Sequence, residues 1–364
     1  MHALRFFVCL ITVAATPLFA FAAEPQYKSE GIEVVAAAAD EAVRSDFSLD
    51  AAKNYLEKGS VAWTKSKKCV ACHTNGTYFQ MAPALADVMG QPLAEQREFL
   101  VKEVAKYSKA NIDTLKTGIR PTQVAYMAHG LATWDKYSGD GKLSEETKQA
   151  LNLMLSLQSD DGSWGNLDCW PPFESSSYQG ATVAALALST APGFLDNLTE
   201  EQAKHVDLLK KYLRTQDAPH DYGRILLLWA ANEWDGLLTE AQKLELVSMA
   251  TGHQQDDGGW AMRTFATPET WGGGGRAEKL KTEEEFKSPP SDGHQTGLVI
   301  MVLRDAGVPA DDDIIKRGIK WIKSNQRESG RWWTRSLNTD GPHFITYSGT
   351  FYPLMALHKC GELK

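Results

Sequence analysis

The sequence predicts an all-α fold, an (α/α)6 toroid of helix hairpins. Three observations carry that prediction. Apolar residues recur at helical spacing through most of the chain, and no run of period-2 alternation competes. A tip of constant form ends helical stretches three times: Gln158-Ser159-Asp160-Asp161-Gly162-Ser163-Trp164, Gln254-Gln255-Asp256-Asp257-Gly258-Gly259-Trp260 and Gln326-Arg327-Glu328-Ser329-Gly330-Arg331-Trp332. Finally, the helical stretches alternate between amphipathic, charged segments and segments apolar nearly all round, the pattern of outer and inner helices.

Six outer/inner pairs are expected in order, at 47–65/79–90, 93–108/121–134, 143–157/179–190, 199–214/221–233, 239–253/294–306 and 310–324/347–358. Outer helices carry solvent charges, as Glu200–Lys211 and Glu240–Glu245 do. Inner helices are apolar on every side, as in Thr182–Leu188, Ile225–Ala231 and Leu298–Leu303. Asp311-Asp312-Asp313 opens the last outer helix and reads as a cap with favourable dipole charge. Six hairpins suggest closure into a ring over an open solenoid. In each tip the Gly supplies the tight reversal, the Gln can bond free helix-end groups, and the Trp offers a flat packing face. The tips account for part of a high count of eleven Trp.

The chain has 364 residues, 43% of them hydrophobic and 23% charged, which excludes disorder for most of its length. Lys and Arg number 38 against 46 Asp and Glu, which argues against a nucleic-acid-binding surface. The first 22 residues read as a secretory signal: Arg5, an apolar run, then Ala20-Phe21-Ala22 before Ala23. Its removal takes Arg5 with it and moves the formal charge from −8 to −9. No later stretch approaches the ~20 apolar residues of a spanning helix, so the expectation is an exported, periplasmic protein. Residues 23–45 read as a flexible leader, 46–115 as the first part of a single toroid spanning 46–364, 116–364 as its repeats, and 266–291 as an insertion loop.

Cys69-Val70-Ala71-Cys72-His73 is the sharpest chemical signal. C-x-x-C-H is the attachment pattern of c-type haem: two thiols add to the vinyl groups of one porphyrin, and the adjacent imidazole reaches the iron. A chain of this composition carries the pattern by chance about 0.002 times. Cys69 and Cys72 are therefore the expected covalent attachment points of haem c and His73 the axial ligand. Met81, eight residues on, is the candidate distal ligand, with Met89, Met127 and His129 as further options. Zinc is a rival that lacks a second Cys or His pair nearby, and a redox dithiol would not require His73. Trp63, Tyr78 and Phe79 are candidates to flank the macrocycle. Cys169 and Cys360 could pair in an oxidising compartment.

Aligning Trp63 with Trp321 puts Lys65-Ser66 on Lys323-Ser324, Lys68 on Gln326 and the Cys69–His73 motif on Arg327–Arg331. The first hairpin is thus expected to hold haem in its reversal loop, within one integrated ring.

The Gln…Gly-x-Trp tips resemble the QW repeats of squalene–hopene cyclases, related terpenoid cyclases and protein prenyltransferases. Gln295-Thr296 and Tyr352-Pro353-Leu354-Met355-Ala356-Leu357 are similar to the C-terminal domain of those cyclases. The resemblance implies the toroid; it does not by itself imply the reaction. The family's acid motif, Asp-x-Asp-Asp before an inner helix, is matched here by Ser175–Gly180, which holds no carboxylate. Protonating an alkene needs a strong, preorganised acid, so acid-initiated cyclisation is disfavoured. A prenyltransferase-type zinc site would draw on Asp168 and Cys169 with His294 or His343. The cavity mouth is expected near His220, Asp221, Tyr222, Asp292, His294, His343 and Tyr347, with 266–291 as a lid or a surface loop.

These readings converge on an exported haem protein acting in electron transfer or haem-dependent oxidoreductase chemistry. Its partner is a redox protein or a small hydrophobic ligand. The alternatives are a non-catalytic lipid- or glycan-binding toroid and an isoprenoid-processing enzyme.

Overall fold

A computed structural model describes residues 24–165, 171–173 and 176–363. The expected signal, Asp168 and Cys169 lie outside the described residues, and with them the pairing of Cys169 with Cys360. Twelve principal helices are numbered here in chain order, odd for outer and even for inner. The outer helices are α1 (Leu49–Lys67), α3 (Ala94–Tyr107), α5 (Glu145–Ser156), α7 (Glu200–Thr215), α9 (Glu240–Gly252) and α11 (Asp313–Ser324). The inner helices are α2 (Thr77–Met81), α4 (Arg120–Tyr137), α6 (Ser177–Thr190), α8 (Asp221–Glu233), α10 (Gly293–Asp305) and α12 (Ser348–Lys359). Neighbouring inner helices touch all the way round, and α12 returns to α2, which closes the six-hairpin toroid.

Local sequence starts these helices where expected. Ser48, Ser144, Thr199, Thr239 and Asp312 each cap an outer helix with a side-chain oxygen, satisfying amides that have no partner inside the helix. Ser176 and Asp292 do the same for α6 and α10. The inner helices are buried on nearly every face, and α10 presses against α12 at Gly297, where a Cβ would meet the Pro353 nitrogen at 2.2 Å.

The three tips use one geometry. Each Trp is fully buried and its indole donates to a carbonyl ten residues back in its own outer helix: Trp164 to Met154 (2.8 Å), Trp260 to Ala250 (2.8 Å), Trp332 to Ile322 (2.7 Å). Each Gln amide donates to a carbonyl of its own tip and to one on the next outer helix. Gln158 reaches His205, Gln254 reaches Ile314, and Gln326 reaches Ser48. The last of these joins the end of the chain to its beginning. Gly162, Gly258 and Gly330 have φ of 97°, 91° and 93°, and each sits against backbone of the following outer helix.

Three expectations need correction. The first inner helix, expected as one run over 79–90, is broken. A π turn (Cys72–Gly76) leads into α2, then a 3-10 turn (Pro83–Leu85) and a four-residue helix (Ala86–Met89) follow. Pro83 has no N–H to continue the helical ladder. Residues 24–45, expected as a flexible leader, are ordered: Tyr27–Ser29 pairs with Ile32–Val34 as an antiparallel hairpin. The following strap is held by the last tip. Arg331, nearly fully buried, pairs with Glu41 at 2.7 Å and donates to the Val35 and Ala36 carbonyls. The insertion 266–291 is not bare loop. It buries Trp271, forms a helix over Gly274–Thr282, and supplies Glu283 to a buried ion pair with Arg263 at 2.7 Å.

Candidate functional site

The turn between α1 and α2 holds Cys69 through His73, as the alignment of the tips predicts. Its backbone is pinned from three sides. The Asn75 amide donates to the Cys69 carbonyl (3.0 Å) and accepts from the Ala71 N–H (2.8 Å). Gln123 of α4 donates to the Val70 carbonyl (2.7 Å) and accepts from the Tyr107 hydroxyl. The Thr77 hydroxyl donates to the Cys72 carbonyl. The π turn widens the backbone at Cys72 and His73, both of which line a cavity, a distortion often found at functional sites.

Cys69, Cys72 and His73 line one cavity of about 350 Å3. Its walls are mostly apolar, with Trp63, Phe173, Phe344 and Ile345 among them, and its rim is the polar segment Ser336, Asn338 and Thr339. The cavity lies at the end of the toroid where the N-termini of α4, α6 and α12 enter. The Cys69 and Cys72 sulfurs form no disulfide. Burial pushes the Cys69 thiol up; the neighbouring Trp63 indole acts more weakly in the opposite sense, although its N–H makes no hydrogen bond of good geometry.

His73 is held by a chain of hydroxyls. Its Nδ1 lies 2.9 Å from Thr74 Oγ1, which lies 3.0 Å from the Tyr27 hydroxyl. The imidazole stacks on Phe344 at 5.1 Å and meets Trp63 edge-on at 4.8 Å. Burial lowers its pKa to about 4, so the ring is neutral at pH 7. With Nδ1–H donating to Thr74, the Nε2 lone pair remains for a metal. Tyr27 comes from the segment read as a leader, so sequence reasoning missed this support. Only the isolated aromatic in a polar stretch hinted at it.

The other candidates fall elsewhere. Met81 does not line this cavity; it lines a second, smaller one with His129. Met89 and Met127 are buried in the core. Of the expected flanking rings Trp63 lines the cavity, whereas Tyr78 and Phe79 are packed inside. None of the seven residues expected at the mouth is among the lining residues. His294, Tyr222, Asp292 and Tyr347 are buried instead. His294 Nε2 lies 3.0 Å from the Tyr222 hydroxyl and Nδ1 2.8 Å from Ser348 Oγ, with its pKa lowered to about 3 by burial. Asp292 is a cap whose carboxylate accepts from the Met262 and Gln295 amides; burial raises its pKa to about 6. No residue of 266–291 lines the cavity. Arg263, paired with Glu283, donates to the Arg335 and Ser336 carbonyls and so fixes the rim.

Rings fill the toroid axis between the two cavities. Phe173, His294, Tyr352, Trp229 and His129 follow one another with centroids 5.6, 4.9, 6.3 and 6.3 Å apart. Among the described residues no three His, Cys, Asp or Glu side chains converge as a metal-holding group. Haem asks for one protein donor to the metal, and its two thioether bonds go to carbon. The residues present fit that demand: two thiols and a neutral, oriented imidazole on one apolar cavity. No helix among the described residues is long and apolar enough to cross a membrane.

Residues 222–362 match the squalene-hopene cyclase C-terminal domain family. The match runs from α8 through α12 and includes the second and third tips, so it supports a cyclase-like toroid. No curated protein matches the chain.

Proposed function

We propose that this cyclase-like toroid is an exported c-type haem protein of electron transfer or haem-dependent redox chemistry. Cys69 and Cys72 would carry haem c through thioether bonds, and His73 Nε2 would be its axial ligand. Bound there, the group would supply one-electron chemistry. The observation that carries the reading is that both thiols and His73 line one apolar cavity, with Thr74 fixing the imidazole by its other nitrogen. Trp63 and Phe344 would hold the proximal ring against rotation. The Ser336–Thr339 rim, braced by Arg263 and Glu283, keeps a polar edge toward solvent. Met81 lines the second cavity and is not assigned a role at this iron.

Cyclase chemistry gains little support from the same residues. The start of α6 holds Ser176, engaged as a cap, where an acid motif would stand. The axis that would receive a long hydrocarbon is filled by side chains. The test is a pyridine haemochrome spectrum of full-length protein produced in a periplasm able to attach haem. The expected result is a covalent haem band that survives denaturing electrophoresis, one haem in mass, and a mature chain beginning at Ala23. Cys69→Ala and Cys72→Ala should abolish it. A colourless protein of unmodified mass would overturn the reading.

A further inference from the structure

The second cavity sits on the toroid axis at the opposite end from the first. All six inner helices line it, each with its C-terminal half: Met81 on α2, His129 on α4, Leu186 on α6, Trp229 on α8, Met301 on α10 and Met355 on α12. Its volume is about 40 Å3. A single water needs ~10–15 Å3 by this measure, so the space suits a single small ion or a few waters. We propose that this cavity binds a soft monovalent d10 cation, copper(I), through the thioethers of Met81, Met301 and Met355 and the imidazole of His129.

Four facts support the assignment independently of haem. Three of the nine methionines in the chain meet around this one void, although they lie far apart in sequence. His129 is 4% exposed and its Nδ1 has no hydrogen-bond partner. A buried nitrogen without a partner is destabilising, and a ligand there would relieve it. The last turns of α4, α6, α8 and α12 border the cavity with Tyr137, Thr190, Glu233 and Lys359, and the negative end of a helix dipole favours a cation. The charged groups at its edge are already engaged: Glu233 with Lys136 at 3.4 Å, and Lys359 with Asp305 at 2.6 Å. Hard cations need several oxygen donors and zinc a richer set of imidazole, thiolate or carboxylate. Neutral thioethers with one imidazole select copper(I).

The experiment uses full-length protein with all five cysteines, Cys9, Cys69, Cys72, Cys169 and Cys360, changed to Ser, so that thiols cannot capture the metal. Silver(I) serves as a redox-inert probe and copper(I) is titrated against bicinchoninate. One equivalent should be retained, and among 13C-methyl methionine resonances those of Met81, Met301 and Met355 should shift. Met301→Leu with Met355→Leu, a volume-conserving pair, should weaken retention on the order of 100-fold while the fold persists. His129→Gln should weaken it as well. Absence of a retained equivalent, shifts confined to other methionines, or retention unchanged in the double variant would overturn the assignment. The silver titration of the parent decides the matter if a variant does not fold.

Discussion

Thr74 is a small residue on which two others depend, since its hydroxyl meets both His73 Nδ1 and the Tyr27 hydroxyl. Thr74→Val keeps the shape and strands both partners, so it should cost about 1–3 kcal/mol in urea unfolding. Tyr27→Phe leaves Thr74 with His73 and should cost about 1 kcal/mol. A larger loss from Tyr27→Phe than from Thr74→Val would show that the chain of hydroxyls is not what holds His73. A second residue-scale effect is acid sensitivity. Burial lowers His294 to about 3 in the folded protein, while an unfolded imidazole titrates at ~6.5. The unfolded chain therefore takes up the proton first. The stabilisation is complete above pH 6.5 and is lost as pH falls toward 3. His129, also lowered to about 3, acts in the same sense. Asp292, raised to about 6, opposes them: its contribution is full below the ordinary carboxylate value and is lost as pH rises through 6. Urea midpoints should fall between pH 6.5 and 4. His294→Gln should flatten that slope by up to about 1.4 kcal/mol per pH unit, and an unchanged slope would count against a neutral His294.

At the scale of elements, the tips show why the ring was readable. Gln, Gly and Trp each answer a backbone demand at a helix end, so their spacing carries the architecture in the sequence itself. Gly330 tests this. Its φ is 93° and a Cβ would meet the Ala51 carbonyl carbon at 2.2 Å, so Gly330→Ala combines left-handed strain with a clash against α1. Gly307 has a similar φ of 87° with open space around it. Thermal melts should show Gly307→Ala losing about 1 kcal/mol and Gly330→Ala several times that. The broken first inner helix was less legible. Pro83 announces a break, but the π turn at Cys72–Gly76 rests on Asn75 and Gln123 bonding backbone from positions 6 and 53 residues away. The Cys69–His73 cluster could be picked out because its spacing is local. Met81 could not be placed, because eight residues of spacing say nothing about which end of a ring a side chain faces.

On the scale of the whole molecule, closure depends on contacts between the two ends of the chain. Gln326 bonds Ser48, Arg331 grips Glu41, and the Tyr347 hydroxyl donates to the Leu56 carbonyl at 2.6 Å. No periodicity could have revealed the strap, since its residues pair with a tip some 290 positions later. Glu41→Gln leaves the Arg331 guanidinium buried without its counter-charge, and should cost about 3 kcal/mol in chemical denaturation with little relief from added salt. Full recovery in high salt would mean the pair is a surface contact. The same closure sets an order of events. Residues 69–73 leave the ribosome long before Phe344 and the 336–339 segment that wall them in. During synthesis, the thiols stand open on the side that the last stretch of polypeptide will cover. If the two thiols carry a porphyrin as proposed, it would bind before Phe344 and the 336–339 segment fold down over it as a roof.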